Sequence, residues 1–514
     1  MNGLLAILAI LISAFAILPE EKRLDLTLRI SKKYLFFSSL PVLTILIVVY
    51  SPVILKTGLL EPVPWIWGFS EDLLVSLCLI FVLIFCGVKV AGSKLPSSSF
   101  GRWDRVSLQY LRSKKFHELG YVFDKYHVQL FKSVENDKWY VRAHNWLMPK
   151  SVIFSALEKP NAPFYKPAVD KIRRILARPF PHSCKEQELI RKSVSRLLKS
   201  RAFVDFLAET HPMVATKATL LRLNDSEEYI SSFFTSLIAH PGSVLYRELR
   251  DNQNCSYTGE YYLDESNELL NFYLSDISNA QYVRIWKPIA DYVIDYIKQQ
   301  GEPDNFYNKP NEGFSESDAR WDSPIYVGSL FFEVMVSRAI FQRIDHHMWL
   351  MYVDDFLEAT LERIERSPDV DFEREFPTRF DYLVYQMFSC CEKWVGSAAH
   401  LDYNGVEQAN IQHFPEYQAA KTFGGMLRRI IKSSKFRDHQ KIYFLEIALR
   451  LMRALDQRKL QSYSCLVFNN CIRRHEFTSV DMEIIPELIR IHQQVDHVLM
   501  SKDSTFESEL AKHS

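Results

Sequence analysis

The sequence contains none of the short motifs that mark the common nucleotide-binding and hydrolytic enzymes. It has no P-loop, no G-x-G-x-x-G, no H-E-x-x-H and no G-x-S-x-G, so phosphate-cradling loops, helical zinc-peptidase sites and nucleophile elbows find no support. Catalysis by dispersed residues stays open. The sequence nevertheless assigns no catalytic residue, no cofactor and no metal site, and the balance favours a non-enzymatic role.

Glycine is also scarce in this chain, and the formal net charge is zero. The 514 residues include only 16 glycines and 22 prolines, which disfavours an all-β or disordered chain. The 62 basic and 62 acidic side chains cancel, which argues against a general nucleic-acid-binding protein, although local patches of charge can still matter.

The 8 cysteines form no recognisable framework. Cys78 and Cys86 lie in an apolar run, Cys390 and Cys391 are adjacent, and no C-x-x-C pair occurs. These spacings predict neither disulfides nor a zinc site in so long a chain. Ordinary thiols in a reducing compartment are the simpler interpretation.

What the sequence does have is three long apolar runs near its amino terminus: Leu4–Leu18, Tyr34–Leu55 and Leu73–Val88. A helix of about 17 to 20 apolar residues crosses a bilayer and satisfies its own backbone polar groups there. A cleaved signal peptide is the alternative for the first run, but the basic residues that precede such signals are missing. We therefore predict a transmembrane region over residues 1–92, with spans at about 3–19, 34–55 and 73–91.

The distribution of lysine and arginine predicts the orientation of these spans. The loop between the first two runs is rich in basic residues, the loop between the second and third has only Lys56, and basic residues return after the third. Basic loops stay on the cytosolic side. We expect a multi-pass protein of the cell membrane (inner or plasma), with its amino terminus outside and its large body cytosolic. Trp65 and Trp67 are predicted to anchor the outer loop at the membrane interface.

The predicted spans carry no ionisable residue at mid-depth. Pumps and transporters usually need one, because charge within the membrane is costly and is retained for function. The spans are therefore interpreted as an anchor. An oligomeric pore lined by small polar residues stays open as an alternative, and its candidate lining residues are Ser38, Ser39, Thr44 and Ser76.

The rest of the chain is predicted to be mainly α-helical, as an irregular bundle or array without a fixed-period repeat. A mixed juxtamembrane region is expected over 103–183, with a small β-hairpin near residues 126–143. Helical regions follow over 184–300 and 325–502. The polar segment 302–323 separates them and is interpreted as a division of the body into two halves.

One tetrapeptide, Tyr352-Val353-Asp354-Asp355, matches the palm signature of reverse transcriptases. That chemistry needs the aspartates on a β-hairpin, with a further carboxylate on a neighbouring strand for two metal ions. Here the tetrapeptide lies within a helical pattern, so we interpret it as part of a solvated acidic helix face.

The strongest functional signal is the placement of basic residues in two clusters, over 166–201 and over 421–441. Such clusters can bind anionic lipid headgroups or the phosphates of a nucleotide or nucleic acid, and can equally be ordinary solvated faces. The lipid surface is preferred over nucleic acid. The candidate anionic-surface residues are Lys166, Lys171, Arg173, Arg174, Arg191, Lys192, Arg196, Arg428, Arg429 and Lys432.

Three functional hypotheses stay open. The preferred one is a membrane-anchored cytosolic sensor or scaffold that binds membrane lipids, a protein partner or a second copy of the chain. Its layout is analogous to that of some bacterial defence effectors. The alternatives are a membrane-associated enzyme acting on a lipid or nucleotide, and an oligomeric pore gated by the cytosolic body.

Overall fold

The computed structural model confirms that the protein is mainly α-helical, with helices and no β-sheet in the part of the chain that it describes. Those residues are 13, 16–30, 32–56, 71–91, 94–96, 99–135, 139–147, 175–177, 184–223, 225–302, 304–345, 348–365, 370–403, 411–474, 479–495 and 504–513. They fall into two compact units. The first comprises residues 1–207 and 220–226, the second comprises 208–219 and 227–514, and segment 302–323 lies within the second.

The first unit contains a short amphipathic helix, two long apolar helices and a small bundle. We number these helices α1 (Glu20–Arg29), α2 (Lys32–Lys56), α3 (Glu71–Ala91), α4 (Phe100–Arg112), α5 (Phe116–Glu135), α6 (Trp139–Leu147) and α7 (Lys185–Leu198). Helix α5 is central, because α1, α4 and α7 all pack against it. Its Phe123 is fully buried and meets the rings of Phe131 and Phe203 edge-on.

The predicted β-hairpin is wrong. Residues 126–135 belong to α5 and residues 139–143 to α6. The alternation of apolar residues from Tyr126 suggested a strand, but the buried residues Tyr126, Leu130 and Val134 recur every fourth residue. Val128, which a strand would have placed beside them, is exposed. The helical period therefore explains the pattern, and the strand period does not.

Two of the predicted membrane spans coincide with α2 and α3. These helices pack against each other, and their described apolar stretches are Ser39–Ser51 and Leu73–Val82. The predicted span 3–19 lies largely outside the described residues. Among those residues, the one helix that meets the length and hydropathy expected of a membrane span is Pro324–Phe341, and 89% of it is buried inside the protein. That burial is typical of a core helix in a globular unit.

The second unit is a large helical assembly. Helix α8 (Arg201–Thr210) begins in the first unit and ends in the second. The helices that follow it are α9 (Pro212–Ala218), α10 (Ser226–Ala239), α11 (Val244–Asp251), α12 (Glu268–Leu274), α13 (Ile277–Val283), α14 (Trp286–Lys298), α15 (Pro324–Phe341), α16 (Met351–Arg363), α17 (Arg379–Ser397), α18 (Pro415–Lys432), α19 (Asp438–Gln457), α20 (Gln461–Ile472), α21 (Ile484–His492) and α22 (Thr505–Leu510).

Helix α18 is the centre of this unit. It packs against α15, α16, α17, α19, α20 and α21. Its approach to α20 is close enough to require glycine, because a Cβ atom on Gly424 would collide with the carbonyl oxygen of Val467. The carboxyl-terminal turns of α18 carry the basic residues Arg428, Arg429 and Lys432, so this central position determines what those residues contact.

Candidate functional site

An open cleft of about 820 Å³ lies in the second unit where α16 and α18 meet the chain just before α21. Its charged lining is almost balanced. The basic members are Arg428, Arg429, Lys432, Lys435 and Arg474, and the acidic members are Glu358, Glu362, Asp481 and Glu483. Three of the basic residues are candidates from the sequence, and the structure brings them together on one side of the cleft.

Arg429 joins the basic cluster to the Tyr352–Asp355 tetrapeptide. Its guanidinium donates from Nε to Oδ1 and from Nη2 to Oδ2 of Asp354, at 3.0 Å each. Nη1 lies 3.0 Å from Oε1 of Glu358. The tetrapeptide is helical, as predicted, but Asp354 is half-buried and paired. The interpretation of this face as solvated is therefore wrong at Asp354.

The second aspartate of the tetrapeptide has a different environment. Burial raises the pKa of Asp355, and the neighbouring carboxylates of Asp354 and Glu358 raise it further. The described residues contain no group of three histidine, cysteine, aspartate or glutamate side chains that could hold a metal ion. The two-metal chemistry associated with the tetrapeptide therefore finds no support among those residues.

Lys432 and Arg428 converge on Asp481. The ammonium of Lys432 lies 2.8 Å from Oδ2 of Asp481 and 3.0 Å from Oε2 of Glu483. Nη1 of Arg428 lies 3.7 Å from the same Oδ2 atom, which is beyond hydrogen-bonding distance. The hydrogen bond from Lys432 holds the pKa of Asp481 below its usual value. One aspartate oxygen thus lies between two cations.

Arg428 is the least satisfied of these cations. Its side chain is only 13% exposed, and its Nε–H has no hydrogen-bond partner. Burial and the nearby charge of Arg429 lower its pKa. Leaving a buried, charged donor unpaired is costly. The terminal nitrogens of this guanidinium make no hydrogen bond to another described residue, and their nearest printed anion is Asp481 at 3.7 Å, so they are the atoms that could bind an anion in the cleft.

Three other candidates lie on α7 in the first unit. Arg191 donates to the carbonyl oxygen of Val134 at 2.8 Å, and Arg196 donates to Asp104 at 2.8 Å. Lys192 is exposed. The remaining candidates, Lys166, Lys171, Arg173, Arg174, Trp65 and Trp67, lie outside the described residues.

A second cluster was not found from the sequence. Glu333, on the most apolar helix of the second unit, is 1% exposed and accepts from Tyr261 Oη at 2.6 Å and from Lys393 Nζ at 2.6 Å. Gln386 Nε2 and Cys390 Sγ also donate to it, at 3.2 Å and 2.9 Å. The sequence signal that could have indicated this cluster is Glu333 itself, the single acidic residue of an otherwise apolar helix.

Lys393 also lines a second cleft of about 420 Å³, together with His400, Arg458 and the turn at Tyr257. Burial raises the pKa of Glu392 in the same cleft. The cleft therefore contains the cations Lys393 and Arg458 and the weakly acidic carboxyl group of Glu392. The charge of Lys393 is already neutralised by Glu333. We regard this cleft as secondary to the larger cleft.

Comparisons with family models, with curated proteins and with solved structures find no match for this chain.

Proposed function

We propose that this chain is a membrane-anchored sensor or scaffold whose helical body binds a ligand or partner on the cytosolic side. The observation that carries the proposal is the surface of α2 and α3. Their exposed apolar side chains are 38% to 64% accessible, and include Leu40, Val42, Leu43, Leu46, Ile47, Tyr50, Val53, Leu77, Ile80, Ile84 and Val88.

An apolar surface of this kind is unusual on a water-soluble protein. Soluble monomers rarely expose contiguous apolar patches larger than a few hundred Å². Neither Tyr34–Leu55 nor Leu73–Val88 contains an aspartate, glutamate, lysine or arginine. Because a membrane solvates such surfaces without cost, α2 and α3 are proposed as spans 34–55 and 73–91, following a first span at about 3–19.

The contact between α1 and α5 supports an antiparallel pair of spans. Asp25 of α1 is 4% exposed and pairs with Arg29 at 2.6 Å and with Lys125 of α5 at 2.7 Å. The phenol of Tyr126 on α5 donates to the same carboxylate. Helix α1 precedes both spans and α5 follows them. Their contact requires an even number of crossings between them, which two full spans provide.

The basic loops support a cytosolic location for that shared side. The proposed topology has the amino terminus outside, α1 inside, Trp65 and Trp67 at the outer interface, and both compact units inside. The spans are proposed as an anchor, and the cytosolic clefts as the part of the protein that binds.

Two measurements test this proposal. Membranes that contain the full chain are washed with alkaline carbonate, and epitope tags at the amino terminus, after Lys56 and at the carboxyl terminus are probed with protease from the outer side. We expect retention in the membrane, with the first two tags accessible and the third protected. Release of the chain by carbonate would overturn the anchor, and a protected second tag would overturn the topology.

Matched substitutions sharpen the second measurement. Replacing Leu77, Ile80 and Ile84 together by glutamate should prevent α3 from crossing the membrane, because charge at mid-depth is costly. The other two spans keep the chain in the membrane, and its carboxyl-terminal tag becomes accessible from the outer side. Met482→Glu provides the control, since Met482 is 75% exposed on the helical body. A carboxyl-terminal tag that stays protected in both variants would contradict the role assigned to α3.

A further inference from the structure

We propose that the cleft of α16 and α18 binds a ligand that carries phosphate groups, and that Asp481 is an intramolecular competitor for it. This inference rests on the proposed role of the body as a ligand-binding unit, and it names the ligand chemistry. The first observation is that Arg428, Arg429 and Lys432 all face one cleft whose volume is within the usual range for small-molecule sites.

The second observation is how poorly the present anion fits. Asp481 offers Lys432 a hydrogen bond at 2.8 Å, yet its oxygen stays 3.7 Å from Arg428. The other oxygen of Asp481 accepts from the N–H of Glu483 at 3.1 Å, so the terminal nitrogens of Arg428 are left without a hydrogen bond to another described residue. A phosphate group has three terminal oxygens and suits the planar fork of arginine, so it can satisfy Lys432 and Arg428 together.

The third observation is the direction of α21. Its amino terminus begins at Ile484, directly after Asp481 and Glu483. The start of a helix carries a partial positive charge, which favours an anion. Here Asp481 already uses it, because its side chain accepts from the N–H of Glu483 at 3.1 Å and its carbonyl oxygen accepts from the N–H of Ile484 at 3.2 Å. The carboxylate of Asp481 therefore accepts both from Lys432 of α18 and from the chain that leads into α21, which is the position that an external anion would take.

The rim of the cleft also provides room for more than a phosphate. Arg474 lines it, is exposed, and makes no hydrogen bond to another described residue. Met482, also at the rim, is 75% exposed. The shared chemistry is a phosphate group next to a less polar part, which fits either a soluble phosphorylated molecule or the headgroup of an anionic lipid.

The experiment uses the full chain in phosphatidylcholine nanodiscs and follows amide hydrogen exchange in α18 and at residues 479–483. One arm adds inorganic pyrophosphate, and the other replaces part of the lipid by phosphatidylglycerol. Protection by pyrophosphate supports a soluble ligand, and protection by phosphatidylglycerol alone supports a headgroup. Protection in neither arm overturns the inference.

Variants separate the site from its competitor. Arg428→Ala combined with Arg474→Ala should weaken binding by about tenfold or more, because charged hydrogen bonds are lost. Asp481→Asn should strengthen it by about three- to fivefold, the size expected for removing one partly exposed ion pair. Arg250→Ala, at an exposed ion pair with Asp318 elsewhere in the unit, is the control.

The two variants predict changes of opposite sign, so general loss of folding cannot mimic the result. Unchanged affinity in the double alanine variant would overturn the site, and unchanged or weaker affinity in Asp481→Asn would overturn the competition. Carbonate extraction of the membranes from which each variant is purified tests the anchor separately. A retained chain that binds neither probe fails only this inference, and a released chain that binds pyrophosphate fails only the anchor.

Discussion

Arg429 and Asp354 form a two-point ion pair, with Nε to Oδ1 and Nη2 to Oδ2 both at 3.0 Å. Both side chains are about one quarter exposed. The pair joins α18 to α16 and connects two features that stand far apart in the sequence. The pair also shows that the basic residues of α18 do not form a free positive surface, because the charge of Arg429 is neutralised by Asp354 within the unit.

A double-mutant cycle of Asp354→Asn and Arg429→Gln should give a favourable coupling of about 1 to 2 kcal/mol, because charged two-point pairs are stronger than neutral hydrogen bonds. The free energy of local opening is measured by amide hydrogen exchange in α16 and α18. Asp355→Asn provides the matched control, since Asp355 is adjacent but has a pKa raised by burial and by its acidic neighbours. Equal coupling of both aspartates to Arg429 would contradict the specific pair.

Gly424 and Gly425 should respond in opposite ways to alanine. A Cβ atom on Gly424 would collide with the carbonyl oxygen of Val467 and lie 3.0 Å from Cβ of Asn470, whereas a Cβ atom on Gly425 meets nothing within 4 Å. Gly424→Ala should therefore destabilise the α18–α20 contact by about 1 to 3 kcal/mol through overpacking. Gly425→Ala should stabilise α18 by up to about 1 kcal/mol. Thermal unfolding of the detergent-solubilised chain measures both, and a stabilising Gly424→Ala would refute the close approach.

Glu333→Gln should destabilise the core around α15 by about 2 to 3 kcal/mol. Breaking a buried ion pair on one side typically costs about 3 to 5 kcal/mol, and the cost is reduced here because Lys393 is 46% exposed and can turn to solvent. Hydrogen exchange of α15 and α17 amides measures the change. Asp291→Asn, in an exposed pair with Lys287, should have no measurable effect. A similarly small effect at Glu333 would show that its four donors contribute little.

The attachment of α21 should weaken in acid. Hydrogen bonds from Arg490, and then from Lys441, lower the pKa of Glu487 from its ordinary 4.5 to about 2. A carboxyl whose pKa is depressed by folding stabilises the folded state above its unfolded pKa, and that stability is lost as the pH falls through the folded value. The stability from Glu487 should therefore be complete above pH 4.5 and lost by about pH 2.

This acid dependence is measured as the difference in melting temperature between the unsubstituted chain and Glu487→Gln across that pH range. The difference should be largest at the upper end and should shrink toward zero at the lower end. A constant difference would show that Glu487 does not titrate in this window. The other carboxylates titrate in both proteins, so their effects on the melting temperature cancel in the difference.

Much of the local structure could be predicted because it depends on neighbouring residues. The apolar runs of α2 and α3 and the helical period of α16 and α18 lie within single elements, so they are visible in the sequence. The hairpin prediction failed at residues 126–134, because over so few residues the two-residue period of a strand and the 3.6-residue period of a helix fit the same apolar positions. Only the burial of Tyr126 and Leu130, with Val128 exposed, separates the two periods.

The sequence by itself determined that the protein is mainly helical, and it provided two long uncharged runs together with the basic residues of α18. Only the tertiary structure decided what those residues contact. It paired Arg429 with Asp354, set Asp481 between Lys432 and Arg428, and gave Glu333 the donors Tyr261 and Lys393. Helical period and hydropathy act between neighbours in the chain, whereas these ion pairs join groups dozens of residues apart. Such partners are chosen by the packing of whole helices, which no local pattern encodes.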